Sequence, residues 1–235
     1  TNSSTIPRES DAVIYTHAGP EIAVASTKAL LTQIVATFLI GLHLGEVRGT
    51  LKSSEVSAIY NDMLELPAKL EQILETVEPL RELTRKFAGN NTVLFLGRHV
   101  GFPVALEGAL KLKELAYIHA EGFAGGELKH GPIALIEEGT PVIAIVPNTH
   151  EHGLDEKMLS NIQEVRARGA KVIAIAAEGI EIPGAAYVIR IPSSPQMLQP
   201  VLATVPLQVF AYEMACARGT DVDQPRNLAK SVTVE

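Results

Sequence analysis

Residues 92–132 read TVLFLGRHVGFPVALEGALKLKELAYIHAEGFAGGELKHGP, and the way this stretch folds decides the architecture. Its opening run, Thr92 to Leu96, has almost no polar side chain, the pattern of a strand covered on both faces. Gly97 follows at once, then Arg98 and Gly101, then a helix containing Glu107 to Glu114. A strand that turns through glycine into a helix is the βα step of a parallel sheet. The free N–H groups of that helix's first turn suit phosphate or sugar hydroxyls. Gly97 to Gly101 is not G-x-G-x-x-G, so the segment does not indicate a dinucleotide.

The same helix carries candidate chemistry. Glu107, Lys111 and Glu114, spaced i, i+4, i+7, share one face, while Leu106, Leu110, Lys113 and Tyr117 follow another row. Val104, Ala105, Leu106, Ala109 and Leu110 predict that little of the helix faces solvent. After Ala120 the periodicity stops, and Gly122, Gly125 and Gly126 predict a glycine-rich loop leading to Glu127, Lys129 and His130. A carboxylate, an ammonium and an imidazole on one folded-back segment suit proton transfer on a small polar substrate. A plainer reading stands beside it. Glu/Lys pairs at this spacing commonly decorate a solvated helix, and a histidine before Gly-Pro is an ordinary loop residue.

Outward from this unit the chain keeps alternating. Pro141 to Val146 (PVIAIV), Lys171 to Ala176 (KVIAIA) and Tyr187 to Ile191 (YVIRI) predict three more strands, the last nearer an edge. Helices predicted over 154–168 and 198–218 are closed by Gly169 and Gly219. That alternation gives an α/β fold with a parallel, doubly wound sheet. Upstream, residues 1–10 predict a polar loop and Ala12 to Thr16 (AVIYT) a buried strand. A helix from Lys28 to Leu44 follows, capped by Ser26 or Thr27 and ending near Gly45. Lys52 to Ala88 predicts two or three amphipathic helices, with Pro67 and Pro79 each opening a segment. The tail from Thr220 is polar and aperiodic. If it folds back, Arg226 and Lys230 would both reach an anionic substrate.

Composition narrows the classes of function. The 235 residues are 46% hydrophobic and 20% charged, enough for one large or two small cores. A net charge of −7 without a basic run, and aromatics at 5% without tryptophan, argue against a nucleic-acid partner. The longest apolar stretch, Ile34 to Leu42, is too short to span a bilayer, and no signal peptide is visible. The single Cys216 excludes an internal disulfide and fits a reducing, cytoplasmic setting; its helical apolar surroundings predict a small buried residue.

Five stretches then carry a resemblance: RESD at 8–11, VASTKA at 24–29, ALEGALKLKE at 105–114, ELKHGP at 127–132 and DQPRNLAKSVTVE at 223–235. From residue 8 to its end the chain resembles the isomerase half of the glucosamine-6-phosphate synthase family, the glutamine–fructose-6-phosphate aminotransferases. ELKHGP is shared more widely among sugar-isomerase (SIS) domains. The resemblance implies SIS domains, three-layer sandwiches around a parallel sheet. Residues 1–50 would be the C-terminal part of a first SIS domain, 51–90 a helical connector, 91–220 a complete second SIS domain, and 221–235 an active-site tail.

The resemblance also implies roles. Glu114 matches the carboxylate that moves a proton between C1 and C2, and Lys230 the lysine that forms a Schiff base with open-chain fructose 6-phosphate. His130 matches the histidine that assists ring opening in the partner subunit's site of a homodimer. Lys111 and Arg226 match supporting basic residues, and Val24, Ser26 and Ala229 positions lining the sugar. The product implied is glucosamine 6-phosphate, with ammonia from a glutaminase domain upstream in the natural chain; no metal or other cofactor, nucleic acid or membrane is implied. The serine- and threonine-rich loops that hold the sugar phosphate in this family have no counterpart in residues 1–51. The expectation is therefore a chain inactive or weak by itself. Two other readings keep the fold: a phosphosugar-sensing SIS module, and a phosphosugar isomerase or deglycase that never uses glutamine. A purely structural domain would leave the Glu, His, Lys and Arg residues unexplained.

Overall fold

The computed structural model describes residues 4–75, 77–149 and 153–230. Five segments form one sheet: β1 (Thr92–Gly97), β2 (His119–Ala124), β3 (Pro141–Ile145), β4 (Lys171–Ala177) and β5 (Tyr187–Ile191). Their order is β2-β1-β3-β4-β5, and each neighbouring pair runs parallel. Four lie where the apolar runs predict them, with β5 at an edge. β2 falls inside the stretch predicted as a glycine-rich loop. Its register pairs Val93 with Ala120 and Leu96 with Phe123.

The helices are α1 (Thr5–Glu9), α2 (Lys28–Val47), α3 (Ser53–Leu64), α4 (Leu66–Leu74), α5 (Val77–Phe87), α6 (Gly101–Ala116), α7 (Leu154–Arg166) and α8 (Gln199–Arg218). Strand alternation sorts the core into two clusters. Val93, Phe95, Ile143, Ile145, Ile173 and Ile175 pack with α6 and α8 on one face. Leu94, Leu96, Val142, Ala144, Val172 and Ala174 pack with Met158, Ile162 and Val165 of α7 on the other. The result is the three-layer α/β sandwich expected.

Two glycines make the sheet–helix contacts possible. A Cβ at Gly97 would sit 2.1 Å from the Gly101 carbonyl oxygen, so only glycine allows so tight a turn from β1 into α6. A Cβ at Gly108 would meet Leu207 at 2.7 Å and the Phe95 ring at 2.9 Å, where α6 crosses α8 and β1. The connector forms three helices, Pro67 and Pro79 each lying in a first turn. It is fixed to α8 by a bidentate pair: Arg81 Nε and Nη2 donate to the buried Glu213 carboxylate at 2.9 and 3.0 Å.

Several expectations are corrected. Ala12 to Thr16 forms no strand: it runs irregularly, with Ile14 and Tyr15 exposed, because none of the five strands lies beside it to take its backbone bonds. Within residues 1–10, Thr5–Glu9 is a short helix; residues 1–3 lie outside the described residues. Thr27 sits at the N-cap of α2, but its hydroxyl donates to a carboxylate of Glu21 at 2.8 Å and caps no backbone N–H. Leu106 and Leu110 are exposed, since the buried face of α6 is set by Ala105, Gly108, Ala109 and Leu112. Cys216 is exposed, because the face of α8 that packs inward carries Ala211, Met214 and Ala215.

Helix α2 also runs well beyond the apolar stretch Ile34 to Leu42 at both ends. At 20 residues and mean hydropathy 1.6 it is long and apolar enough to cross a membrane, as is the stretch Gln196–Arg218 at 1.2. The latter is the mostly buried core helix of the sandwich. In α2 only Leu42 is fully buried; Leu31, Ile34, Val35 and Phe38 rest against the core, and Leu39, Ile40, Leu44 and Val47 are exposed.

Candidate active site

The packing of α6 decides what its charged row does. Because Gly108 and Ala109 bring the helix hard against β1 and α8, the neighbouring row of Glu107, Lys111 and Glu114 is drawn inward. The Lys111 side chain is 3% exposed, which removes it from the class of solvated helix decoration. Its ammonium lies 3.5 Å from Glu107 Oε1 and pairs more closely with Glu114 Oε2. Burial dominates at Glu107 and pushes its carboxyl above the ordinary range, against the pull of Lys111. One buried cation thus serves two carboxylates, a site able to hold or release a proton.

Helix α6 ends at Tyr117, which adopts a left-handed conformation at φ 56°. That turn presents the phenol to the tail. Arg226 donates its backbone N–H to the Tyr117 hydroxyl oxygen at 2.7 Å, and its guanidinium carbon lies 4.2 Å from the ring centroid. The tail leaves α8 through Gly219, and the Thr220 hydroxyl donates to the Leu115 carbonyl of α6 at 2.7 Å. Asp221 then accepts the N–H groups of Asp223 and Gln224 at 2.9 and 3.0 Å; these bonds hold its carboxyl below the ordinary range. The resulting turn directs the chain toward residues 21–27.

There the tail meets the segment before α2. Val24 donates its N–H to the Asp223 carbonyl at 2.9 Å. The Lys230 ammonium donates to the carbonyls of Ala23 and Val24 at 3.0 and 3.4 Å and lies 3.4 Å from Glu21 Oε2. Glu21 is the hub of this segment, its side chain only 8% exposed. It accepts the Thr27 N–H at 2.7 Å, the Thr27 hydroxyl at 2.8 Å and the Ser26 hydroxyl at 3.3 Å. Burial opposes its ionisation. The Thr27 bonds, the Ala29 N–H and the Lys230 charge outweigh that and hold its carboxyl at about 2.

Lys230 is thus brought to Val24 and, through Glu21, to Ser26, with exposed Ala229 beside it. Lys111 and Glu114 meet on α6, and Arg226 is tied to the end of that helix through Tyr117. Among the described residues no hydrogen bond or ion pair joins Glu114 to Lys230. His130 stands apart, exposed at the end of the 3₁₀ turn Leu128–His130, with its backbone N–H on the Glu127 carbonyl. The last tail residues, 231–235, lie outside the described residues. Sequence reasoning missed Glu21 and Tyr117. The first carries a signal in retrospect: it is a lone acid after Gly-Pro, at the edge of an apolar run leading into a helix.

At the turn after β1, Arg98 Nε donates to Asn161 Oδ1 of α7 at 2.9 Å, and His99 Nδ1 lies 3.1 Å from Gln196 Nε2. These side-chain bonds tie the turn to α7 and to the segment before α8.

Comparison with known proteins follows the same lines. The SIS-domain family model matches residues 86–218. The chain is 64% identical over 238 residues to a glutamine–fructose-6-phosphate aminotransferase (isomerizing) of Streptomyces coelicolor, covering 100% of this chain and 39% of that protein. It is 62% identical over 239 residues to the enzyme of the same name from Corynebacterium diphtheriae, again covering 100% of this chain and 38% of that one. Among solved structures, the C-terminal domain of glucosamine-fructose-6-phosphate aminotransferase from Francisella tularensis superposes with a TM-score of 0.90 at 38% identity. That match covers 95% of this chain and 63% of the other. The chain therefore spans under two fifths of the length of each of these two curated relatives.

Proposed function

This chain belongs to the SIS-domain family, and on that premise we propose that it is the isomerase portion of a glutamine–fructose-6-phosphate aminotransferase. One observation carries the reading: the tail folds back so that Lys230 lies on the Val24 carbonyl while Arg226 is held on Tyr117 at the end of the Glu114 helix. A phosphosugar sensor needs no amine at that place. Residues up to about 50 are then the end of a first SIS domain, 91–220 a second, and 51–90 the link between them.

In this account fructose 6-phosphate is the substrate and ammonia derived from glutamine the nitrogen donor. His130 assists ring opening, from the partner subunit of a homodimer. Lys230, once neutral, attacks the C2 carbonyl and water leaves, since an amine activates a ketone by condensation; ammonia then adds to the iminium carbon and the Lys230–C2 bond breaks, so that the lysine is freed and the substrate nitrogen stays on C2. Glu114 carries the proton from C1 to C2; a single base between adjacent carbons can reach both. Lys111 steadies Glu114, and Arg226 balances negative charge near the tail. Val24, Ser26 and Ala229 line the sugar. A glutaminase domain upstream in the natural protein supplies the ammonia, and the protein works in the cytoplasm.

The test compares native protein and Lys230→Ala at the relatives' full length. Glucosamine 6-phosphate formation is followed from fructose 6-phosphate and glutamine, and sugar binding by calorimetry. The expected result is that Lys230→Ala binds sugar phosphate but makes no product. Product formation by Lys230→Ala at the native rate would overturn the proposal, as would a native protein that binds the sugar and makes nothing.

A further inference from the structure

We propose that Glu21 is the positioning residue and counter-ion of Lys230, holding the amine at the site and keeping its nitrogen cationic once it has condensed with the sugar. This rests on the function proposed above. Three observations converge on Glu21. Its carboxylate is nearly buried, with its side chain 8% exposed, yet it lies 3.4 Å from the ammonium of a lysine that comes from the far end of the chain. Its other oxygen is anchored by the Thr27 N–H at 2.7 Å and the Thr27 hydroxyl at 2.8 Å, so the charge is fixed in place. The remaining ligands of the ammonium are two backbone carbonyls, of Ala23 and Val24, which belong to the loop that Glu21 itself braces.

The charge arithmetic of condensation makes such a carboxylate useful. The resting ammonium first gives one proton to water. The nitrogen lone pair then attacks C2, forming the C–N bond as the carbonyl π-bond opens onto oxygen. The added nitrogen passes a proton to that oxygen, a second proton arrives from solvent, and the C–O bond breaks to release water as the C=N bond forms. Overall, ammonium plus ketone gives iminium plus water, and a single positive charge stays on the nitrogen at both ends. A fixed anion beside it therefore matches the start and the end of the step. It also opposes loss of the iminium proton, which would leave a poorer electrophile. Hydrogen bonds to a fixed charged group are the stronger kind, and here one partner is already desolvated.

The experiment traps that cation. Fructose 6-phosphate and sodium cyanoborohydride, which reduces iminium ions, are added to the protein at the relatives' full length, and the adduct at Lys230 is quantified by peptide mass mapping. Glu21→Gln keeps the shape and can still accept from Thr27, but loses the charge. Thr27→Val keeps the charge and removes only the hydroxyl brace. The expected result is that Glu21→Gln lowers the rate of Lys230 adduct formation about tenfold, the effect of losing one charge-assisted bond to a half-exposed group. Thr27→Val lowers it less than about threefold. In turnover, kcat falls in Glu21→Gln while KM for the sugar changes less than about twofold. Equal adduct rates in Glu21→Gln and native protein would overturn the inference and leave the proposed function standing. Equal losses in both variants would reduce Glu21 to a loop brace and also overturn it. A native protein that forms no Lys230 adduct would remove the proposed function, and the inference with it.

Discussion

Replacing Lys111 with methionine tests the buried charge row most sharply. Methionine keeps the apolar stem and removes the ammonium that serves Glu107 and Glu114. Removing one partner of a fully buried pair costs about 3–5 kcal/mol. The lysine is 3% exposed, but the carboxylates keep 18% and 22% of their exposure and so a path to water. The expected loss is therefore about 2–3 kcal/mol, or about 5–10 °C in Tm for a chain of this size. It should depend on pH. Burial already raises the Glu107 carboxyl from its ordinary 4.5, and without Lys111 it rises further. A carboxyl raised in the folded state contributes stability that is whole below its ordinary value and lost as pH climbs through the raised one. The deficit of Lys111→Met is thus greatest near pH 8 and shrinks toward about pH 5. Thermal and urea melting at both pH values measure it. A variant within about 0.5 kcal/mol of native at pH 8, or a deficit equal at both, would refute the picture of one buried cation serving two carboxylates.

Three further outcomes follow from the same geometry. Gly108→Val drives methyl groups into Leu207 and Phe95, and should cost about 2–3 kcal/mol on urea melting. Thr220→Val removes the hydroxyl that ties the tail to the Leu115 carbonyl; it should cost about 1 kcal/mol and lower kcat more than melting alone accounts for. Glu21, held at about 2, contributes stability that is complete above its ordinary 4.5 and is lost as pH falls through about 2. Glu21→Gln should therefore flatten the acid limb of the stability curve across that window.

The sheet was legible where burial is two-sided. β1, β3 and β4 are nearly unbroken apolar runs because helices cover both faces, and their short length between turn residues marks them as strands. β2 was not, because an edge strand pairs on one side only and tolerates His119, Glu121 and Gly122. Gly122 is there for closeness: a Cβ would lie 3.0 Å from the Leu106 backbone, so what reads as loop composition is packing against α6. The opposite holds at Ala12 to Thr16, where β-branched residues fit a strand but, among the described residues, no strand lies beside them to pair with. In the site, the spacing of Glu107, Lys111 and Glu114 put them on one face, but spacing cannot say whether a face is buried. The fit of Gly108 against α8 decides that. Lys230 and Glu21 are 209 positions apart, and their meeting depends on the turn at Asp221 and the left-handed Tyr117, neither of which leaves a periodic trace.

In the proposed reaction one carboxylate, that of Glu114, moves one hydrogen, and label transfer measures this directly. Fructose 6-phosphate deuterated at C1 is converted with glutamine by the protein at the relatives' full length, and deuterium at C2 of the product is read by NMR. The native protein should carry a measurable share of the label from C1 to C2, because the same Glu114 that removes it returns it before exchange with water is complete. Glu114→Gln should bind the sugar and transfer none. Native-rate label transfer by Glu114→Gln would contradict the account at its centre.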